Sequence, residues 1–141
     1  MDIVATTIWM IVATIVTGPS SLVQKVEGAI MNPTRVTVIN MLTAKSDLMI
    51  HCKSKNDDLG EHVQPYQQSF AWNFRPNFWQ TTLFFCSFAW QGSGDSHSFD
   101  IYVQRRDQSR CVDCRWAITE NGPCLYTWRS SDYDVCYPFK N

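Results

Sequence analysis

Charge of one sign is what this chain most clearly lacks. Twelve Lys and Arg stand against thirteen Asp and Glu, a formal net charge of −1. Binding nucleic acid strongly needs a basic surplus that neutralises several phosphates, so that function class is excluded. Histidine is scarce, at three residues, and leaves little material for imidazole chemistry. Glycine and proline number six each, without a repeat or a low-complexity linker, which argues for one domain. The sequence has no usable glycosylation sequon, because Asn32-Pro33-Thr34 is blocked by its proline. Long hydrophobic runs are also missing. The longest, IVATTIWMIVATIV (3–16), falls short of the roughly 20 residues that span a bilayer, so no membrane span is expected in the mature form.

That run has a positive reading. It is followed by Gly18-Pro19 and small serines, and Val26-Glu27-Gly28 before Ala29 offers the small residues a signal peptidase requires. Residues 1–28 are therefore expected to be a secretory signal peptide, cut somewhere between 20 and 28, with the domain occupying 29–141. Removal takes away Lys25, Asp2 and Glu27, so the 12 basic and 13 acidic residues become 11 and 11 and the mature chain is formally neutral. All six cysteines, Cys52, Cys86, Cys111, Cys114, Cys124 and Cys136, lie beyond the cut. An even count in a small secreted chain reads as a disulfide framework, for which six cysteines allow 15 pairings.

Period-2 alternation dominates what remains. RVTVINML (35–42), LMIHCKS (48–54), QSFAWNF (68–74), SFDIYVQ (98–104) and CRWAIT (114–119) all carry it. WQTTLFFCSFAW (79–90) is apolar on both faces, as in a central strand, and CLYTW (124–128) and VCYPF (135–139) complete the set. Asp57-Asp58-Leu59-Gly60, Arg75-Pro76-Asn77, Gln91-Gly92-Ser93-Gly94-Asp95 and Asn121-Gly122-Pro123 read as turns. The expected fold is all-β: a single antiparallel β-sandwich of about seven or eight short strands, disulfide cross-linked.

Three chemistries compete with a purely structural reading of the polar residues. A His–Cys pair at His51-Cys52 fails because neighbours in a strand point to opposite faces. Structural zinc on Cys111-x-x-Cys114, Cys124 and Cys136 lacks a second CxxC, and a secretory context favours disulfides. Glycoside hydrolysis needs two acids across a cleft, whereas Asp57 and Asp58 sit side by side on a turn. Neither a catalytic residue, nor a metal, nor a cofactor is assigned. Trp72, Trp79, Trp90, Trp116 and Trp128 raise a carbohydrate-stacking, lectin-like module as the alternative function, although alternating positions favour core packing. Loops carry specificity on a rigid scaffold. The candidates are Asp57 and Asp58, then Gln91, Ser93 and Asp95 in QGSGDSH (91–97), and Arg105, Arg106 and Arg110 in VQRRDQSR (103–110), an expected exposed mixed-charge patch. TWRSSDYD (127–134) is a third polar loop.

HCKSKNDDLG, FAWNF, NFWQTTLFFCSFAW, HSFDIYV, CVDCRWAI and NGPC, in this order across about residues 35–137, resemble the plant self-incompatibility protein family, the S-protein homologues. Gln80 departs from the pattern, standing where the family usually has glycine, and Gln64-Pro65-Tyr66 lacks a common Pro-Gly turn. The resemblance implies a small secreted β-sandwich without enzymatic activity. It further implies an extracellular ligand, in the best-understood members released by the pistil and recognised by a partner on pollen. The expectation for this chain is a monomer that binds a cell-surface receptor protein and no nucleic acid.

Overall fold

The computed structural model describes residues 32–140. The expected signal peptide, residues 1–28, lies outside them. Among the described residues nine strands form in chain order: β1 (Thr34–Asn40), β2 (Leu48–Lys53), β3 (Asp58–Gln64), β4 (Ser69–Phe74), β5 (Leu83–Ala89), β6 (His97–Val103), β7 (Asp113–Thr119), β8 (Gly122–Thr127) and β9 (Asp132–Cys136). Among the described residues one short helix, α1 (Gln104–Asp107), follows β6. The strands make a five-stranded sheet in the order β4-β1-β7-β8-β9 and a four-stranded sheet in the order β3-β2-β5-β6. The β-sandwich read from the alternation is present. One pairing departs from the antiparallel expectation, because β1 runs parallel to β7, Val36 opposite Cys114 and Val38 opposite Trp116.

Alternation decides which side chains lie between the sheets. Val36 and Val38 of β1, Cys114, Trp116 and Ile118 of β7 and Leu125 of β8 are buried on one sheet. Leu48, Ile50 and Cys52 of β2, Phe84, Cys86 and Phe88 of β5 and Phe99 and Ile101 of β6 are buried on the other. Each such fully buried aliphatic side chain contributes about 1.5–3 kcal/mol. Aromatic pairs cross the gap, with Phe99 against Trp116 at 5.2 Å and Phe74 against Phe84 at 4.6 Å between centroids. Asn40, which continues the inward row of β1, is fully buried but satisfied: its Nδ2 donates to the carbonyls of Ser46 and Gln64, and its Oδ1 accepts from the Leu42 N–H.

Three disulfides join Cys52 to Cys86, Cys111 to Cys114 and Cys124 to Cys136. Two of them link facing residues of neighbouring strands, β2 to β5 and β8 to β9. The third closes the short entry to β7.

Two local expectations are corrected. Asp57-Asp58-Leu59-Gly60 is not a turn ending a strand. The turn is Ser54–Asp57, closed by the Ser54 N–H to the Asp57 carbonyl at 2.7 Å, and Asp58 already opens β3. Leu59 and Gly60 make a bulge opposite β2, which requires Gly60 to sit at φ 78. The central strand expected from Trp79 begins only at Leu83, and Trp79 belongs to the preceding loop.

Candidate functional site

Large apolar side chains that stay exposed mark the surface best suited to a partner. Among the described residues these are Met49, Val63, Phe78, Trp79, Leu83, Val112 and Trp128. Three of them share one surface. Met49 and Val63 are partners in the β2–β3 ladder, and Leu83 alternates with inward Phe84, so all three lie on the outer face of the four-stranded sheet. Phe78 and Trp79 stand on the loop that leads into that same face, 70% and 75% exposed, with their rings edge to face at 6.1 Å.

That loop, residues 75–82, is held from below by a buried amide. Gln104, only 1% exposed, donates from Nε2 to the Asn77 carbonyl at 2.9 Å and accepts the Thr82 N–H on Oε1 at 3.1 Å. Its own N–H reaches the Thr82 carbonyl at 3.0 Å. Within the loop, Thr82 Oγ1 accepts the Asn77 N–H at 2.7 Å and Asn77 Oδ1 accepts the Thr81 N–H at 3.1 Å. Gln80 adopts φ 65, a left-handed conformation in which glycine is the favoured residue. This gives a backbone reason for the glycine expected there from the resemblance. Between this loop and the β2–β3 turn lies a groove of about 400 Å³, with Phe74, Leu83 and Phe85 along its base and Lys55, Asp57 and Asn77 on its rim.

The residues expected at a partner surface do not gather in one place. Asp57 lies on the groove. Asp58, one residue on, has local partners: its Oδ1 sits 2.6 Å from His51 Nε2 and accepts the Gly60 N–H at 2.9 Å. The Gly60 bond and then the His51 bond hold its carboxyl below the usual range. Gln91, Ser93 and Asp95 lie at the opposite end of the sheet, because Ala89, where β5 ends, pairs with Met49 near the start of β2. Ser93 closes its own turn, with its N–H on the Trp90 carbonyl and its hydroxyl accepting the Trp90 N–H.

The exposed mixed-charge patch expected over 103–110 is corrected by α1. Asp107 is 1% exposed and Arg106 grips it through two bonds of 2.8 Å. Asp107 also accepts the Val103 N–H at 2.9 Å. The Arg106 guanidinium lies over Phe99, Trp116 and Tyr137 at 5.2, 5.5 and 5.6 Å. A buried carboxylate needs such a partner, and the aromatic faces stabilise the cation that supplies it. Arg106 is thus a lining of the core. Arg105 is exposed, and Arg110 bonds the Tyr137 hydroxyl at 2.9 Å.

Of the five tryptophans weighed as a stacking platform, Trp116 and Trp72 are buried, Trp90 is half-buried against His97, and only Trp79 and Trp128 are well exposed. The loop built on Gln104 is missed by sequence reasoning. Its one signal is the adjacent pair Phe78-Trp79 breaking the alternation after Pro76.

With the two sheets, the cross-linked cysteines and the long motif order in place, comparison with known proteins is decisive. The family model for plant self-incompatibility protein S1 matches residues 35–139. The chain belongs to that family. S-protein homolog 5 of Arabidopsis thaliana is 48% identical over 108 residues, which cover 75% of this chain and 80% of that protein. S-protein homolog 29 of the same plant is 42% identical over 106 residues, covering 75% and 77%. A solved Self-Incompatibility Protein Homologue, from what is described as a widespread family of small, highly stable, secreted plant proteins, shares the fold. It superposes with a TM-score of 0.53 at 16% identity, over 79% of this chain and 97% of that one. For this self-incompatibility family member, Cys52 is closed by its bond to Cys86 and is no thiolate nucleophile.

Proposed function

We propose that this protein acts outside the cell as a non-enzymatic recognition ligand. In this reading it docks on a cell-surface partner protein through the outer face of the β3-β2-β5-β6 sheet and the Phe78–Trp79 loop. The supporting observation is that Leu83, Phe78 and Trp79 stay exposed together where β5 begins, while Met49 and Val63 extend the same exposed apolar face toward its other end. Exposed aromatics on a preorganised loop lose little entropy on binding and are the residue types that anchor interfaces. Lys53, lying over Phe85 at 5.7 Å, and the groove rim of Lys55 and Asp57 supply polar contacts around the apolar centre.

The test is binding of tagged, secreted protein to intact plant cells. A Phe78→Ala/Trp79→Ala double variant and a Val63→Glu variant are each expected to lower cell binding by about tenfold or more, since exposed anchors lost from an interface act mainly on dissociation. Unchanged circular dichroism excludes misfolding. Wild-type binding by both variants would overturn the proposal.

A further inference from the structure

The outer face of the five-stranded sheet carries an aromatic row of its own, separate from the docking face on the other sheet. Trp116 of β7 and Leu125 of β8 are buried and pair with each other, so their neighbours Arg115 and Tyr126 point outward. Tyr126 in turn pairs with Tyr133 of β9. Arg115, Tyr126 and Tyr133 therefore form one row across three adjacent strands. Trp128, just beyond the end of β8, lies alongside it with its ring 4.9 Å from that of Tyr126.

The rings stand at steep angles to one another. Trp128 meets Tyr126 at 80°, and Tyr126 meets Tyr133 at 67° with centroids 5.1 Å apart. Such rings make ridges and slots rather than the flat platform on which a planar ligand stacks. Arg115 braces one end. Its guanidinium lies 5.3 Å over the Trp128 ring and pairs with Asp113 at 3.1 Å, while Trp128 stays 60% exposed.

The polar groups left over on this face are donors. Among the described residues neither the Tyr126 hydroxyl, nor the Tyr133 hydroxyl, nor the Trp128 indole N–H has a hydrogen-bond partner. The nearby carboxylates are engaged: Asp113 Oδ2 accepts from Arg115 and its Oδ1 is buried, and Asp134 accepts the Thr127 hydroxyl at 2.7 Å. A saccharide, whose hydroxyls donate as well as accept, finds few acceptors here. A run of prolines offers backbone carbonyls and no N–H at all. Spacing agrees with that ligand. The row spans two inter-strand gaps, about 9.5 Å, and one turn of a polyproline II helix rises by about 9.3 Å.

We propose that this face binds a proline-rich segment of a partner protein in the polyproline II conformation. Its pyrrolidine rings enter the slots on either side of Tyr126, and its carbonyls accept from the two tyrosine hydroxyls and the Trp128 N–H. Aromatic-lined grooves are the surfaces that recognise such segments. The segment is already extended in solution, so docking costs it little chain entropy.

Titration of the secreted protein with decaproline, followed by calorimetry and tryptophan fluorescence, tests this against a Gly-Ser peptide of equal length and against cellohexaose. Decaproline is expected to bind and the other two are not. Trp128→Ala and Tyr133→Ala, both outside the core, are each expected to weaken binding by about tenfold, with thermal unfolding showing that both fold. Tyr133→Phe keeps the ring and loses the donor, and is expected to weaken it by about threefold. Phe78→Ala/Trp79→Ala is expected to bind decaproline normally, which separates this face from the docking face. No binding of decaproline, equal binding of the Gly-Ser peptide, or wild-type affinity in Trp128→Ala and Tyr133→Ala overturns the proposal. Binding of cellohexaose in place of decaproline overturns it as well, since the face is then a saccharide site.

Discussion

The side-chain amide of Gln104 bonds the backbone of a loop 22 to 27 residues earlier, its Nε2 on the Asn77 carbonyl at 2.9 Å and its Oε1 on the Thr82 N–H at 3.1 Å. One buried side chain thereby decides the shape of the segment that carries the two most exposed aromatic rings of the described residues.

Gln104→Ala is expected to cost about 1–3 kcal/mol, because it leaves a buried carbonyl and N–H without partners. Chemical denaturation reads the stability. Hydrogen exchange at Thr82 is expected to accelerate, and cell binding to fall although Phe78 and Trp79 are unchanged. Wild-type exchange at Thr82 would show that the loop holds its shape without the amide.

Gly122 is expected to tolerate no side chain. It sits at φ 139, and a Cβ there would lie 1.9 Å from the Tyr137 carbonyl oxygen, which accepts no compression from a backbone already paired to β8. Gly122→Ala is expected to lose about 3 kcal/mol or more, combining backbone strain with a clash. A thermal-unfolding midpoint within a degree of wild type would contradict this geometry.

Glu120 ties the β1–β2 connection to the β7–β8 turn. Partial burial pushes its carboxyl up, but the Thr43 and Ala44 N–H groups and the Thr43 hydroxyl outweigh this and bring it down to about 2. A depressed folded-state value means stability that is present above the unfolded carboxylate value of roughly 4.3 and is lost as pH falls toward 2. Glu120→Ala is expected to cost about 1 kcal/mol at neutral pH and to flatten the acid limb of the stability curve between those values. Parallel acid limbs for the two proteins would remove Glu120 from the linkage.

The three disulfides are expected to rank by the loops they close. With separations of 34, 12 and 3 residues for Cys52–Cys86, Cys124–Cys136 and Cys111–Cys114, loop-closure entropy predicts losses of about 4, 3 and under 2 kcal/mol on paired Cys→Ala substitution. Cys52 and Cys86 are also fully buried, which deepens the first loss. Unfolding of each double variant in denaturant measures the order. A more damaging loss of Cys111–Cys114 than of Cys52–Cys86 would show that native-state contacts at the β7 entry outweigh chain entropy.

Much of this architecture is legible in the residues themselves. Alternation in VTVIN, LMIHC, FDIYV and CRWAI names the inward face of β1, β2, β6 and β7, because burial of one sheet face imposes a period of two whatever the strand's neighbours are. The even set of cysteines in a chain without free-thiol chemistry points to cross-links for the same local reason. Pairing is another matter. Nothing in a strand's own residues selects its partner, so the parallel match of β1 with β7 and the three cysteine pairs emerge only when both sheets close on one core. Side chains in connections depend on distant groups even more. Arg106 reads as a surface charge until Phe99, Trp116 and Tyr137 are brought beneath it, Asp107 reads as its exposed neighbour until α1 turns it inward, and Trp79 reads as the start of a strand. Tertiary structure makes those assignments, because a loop residue's burial is set by contacts far away in sequence, whereas the face of a strand residue is set by its immediate neighbours.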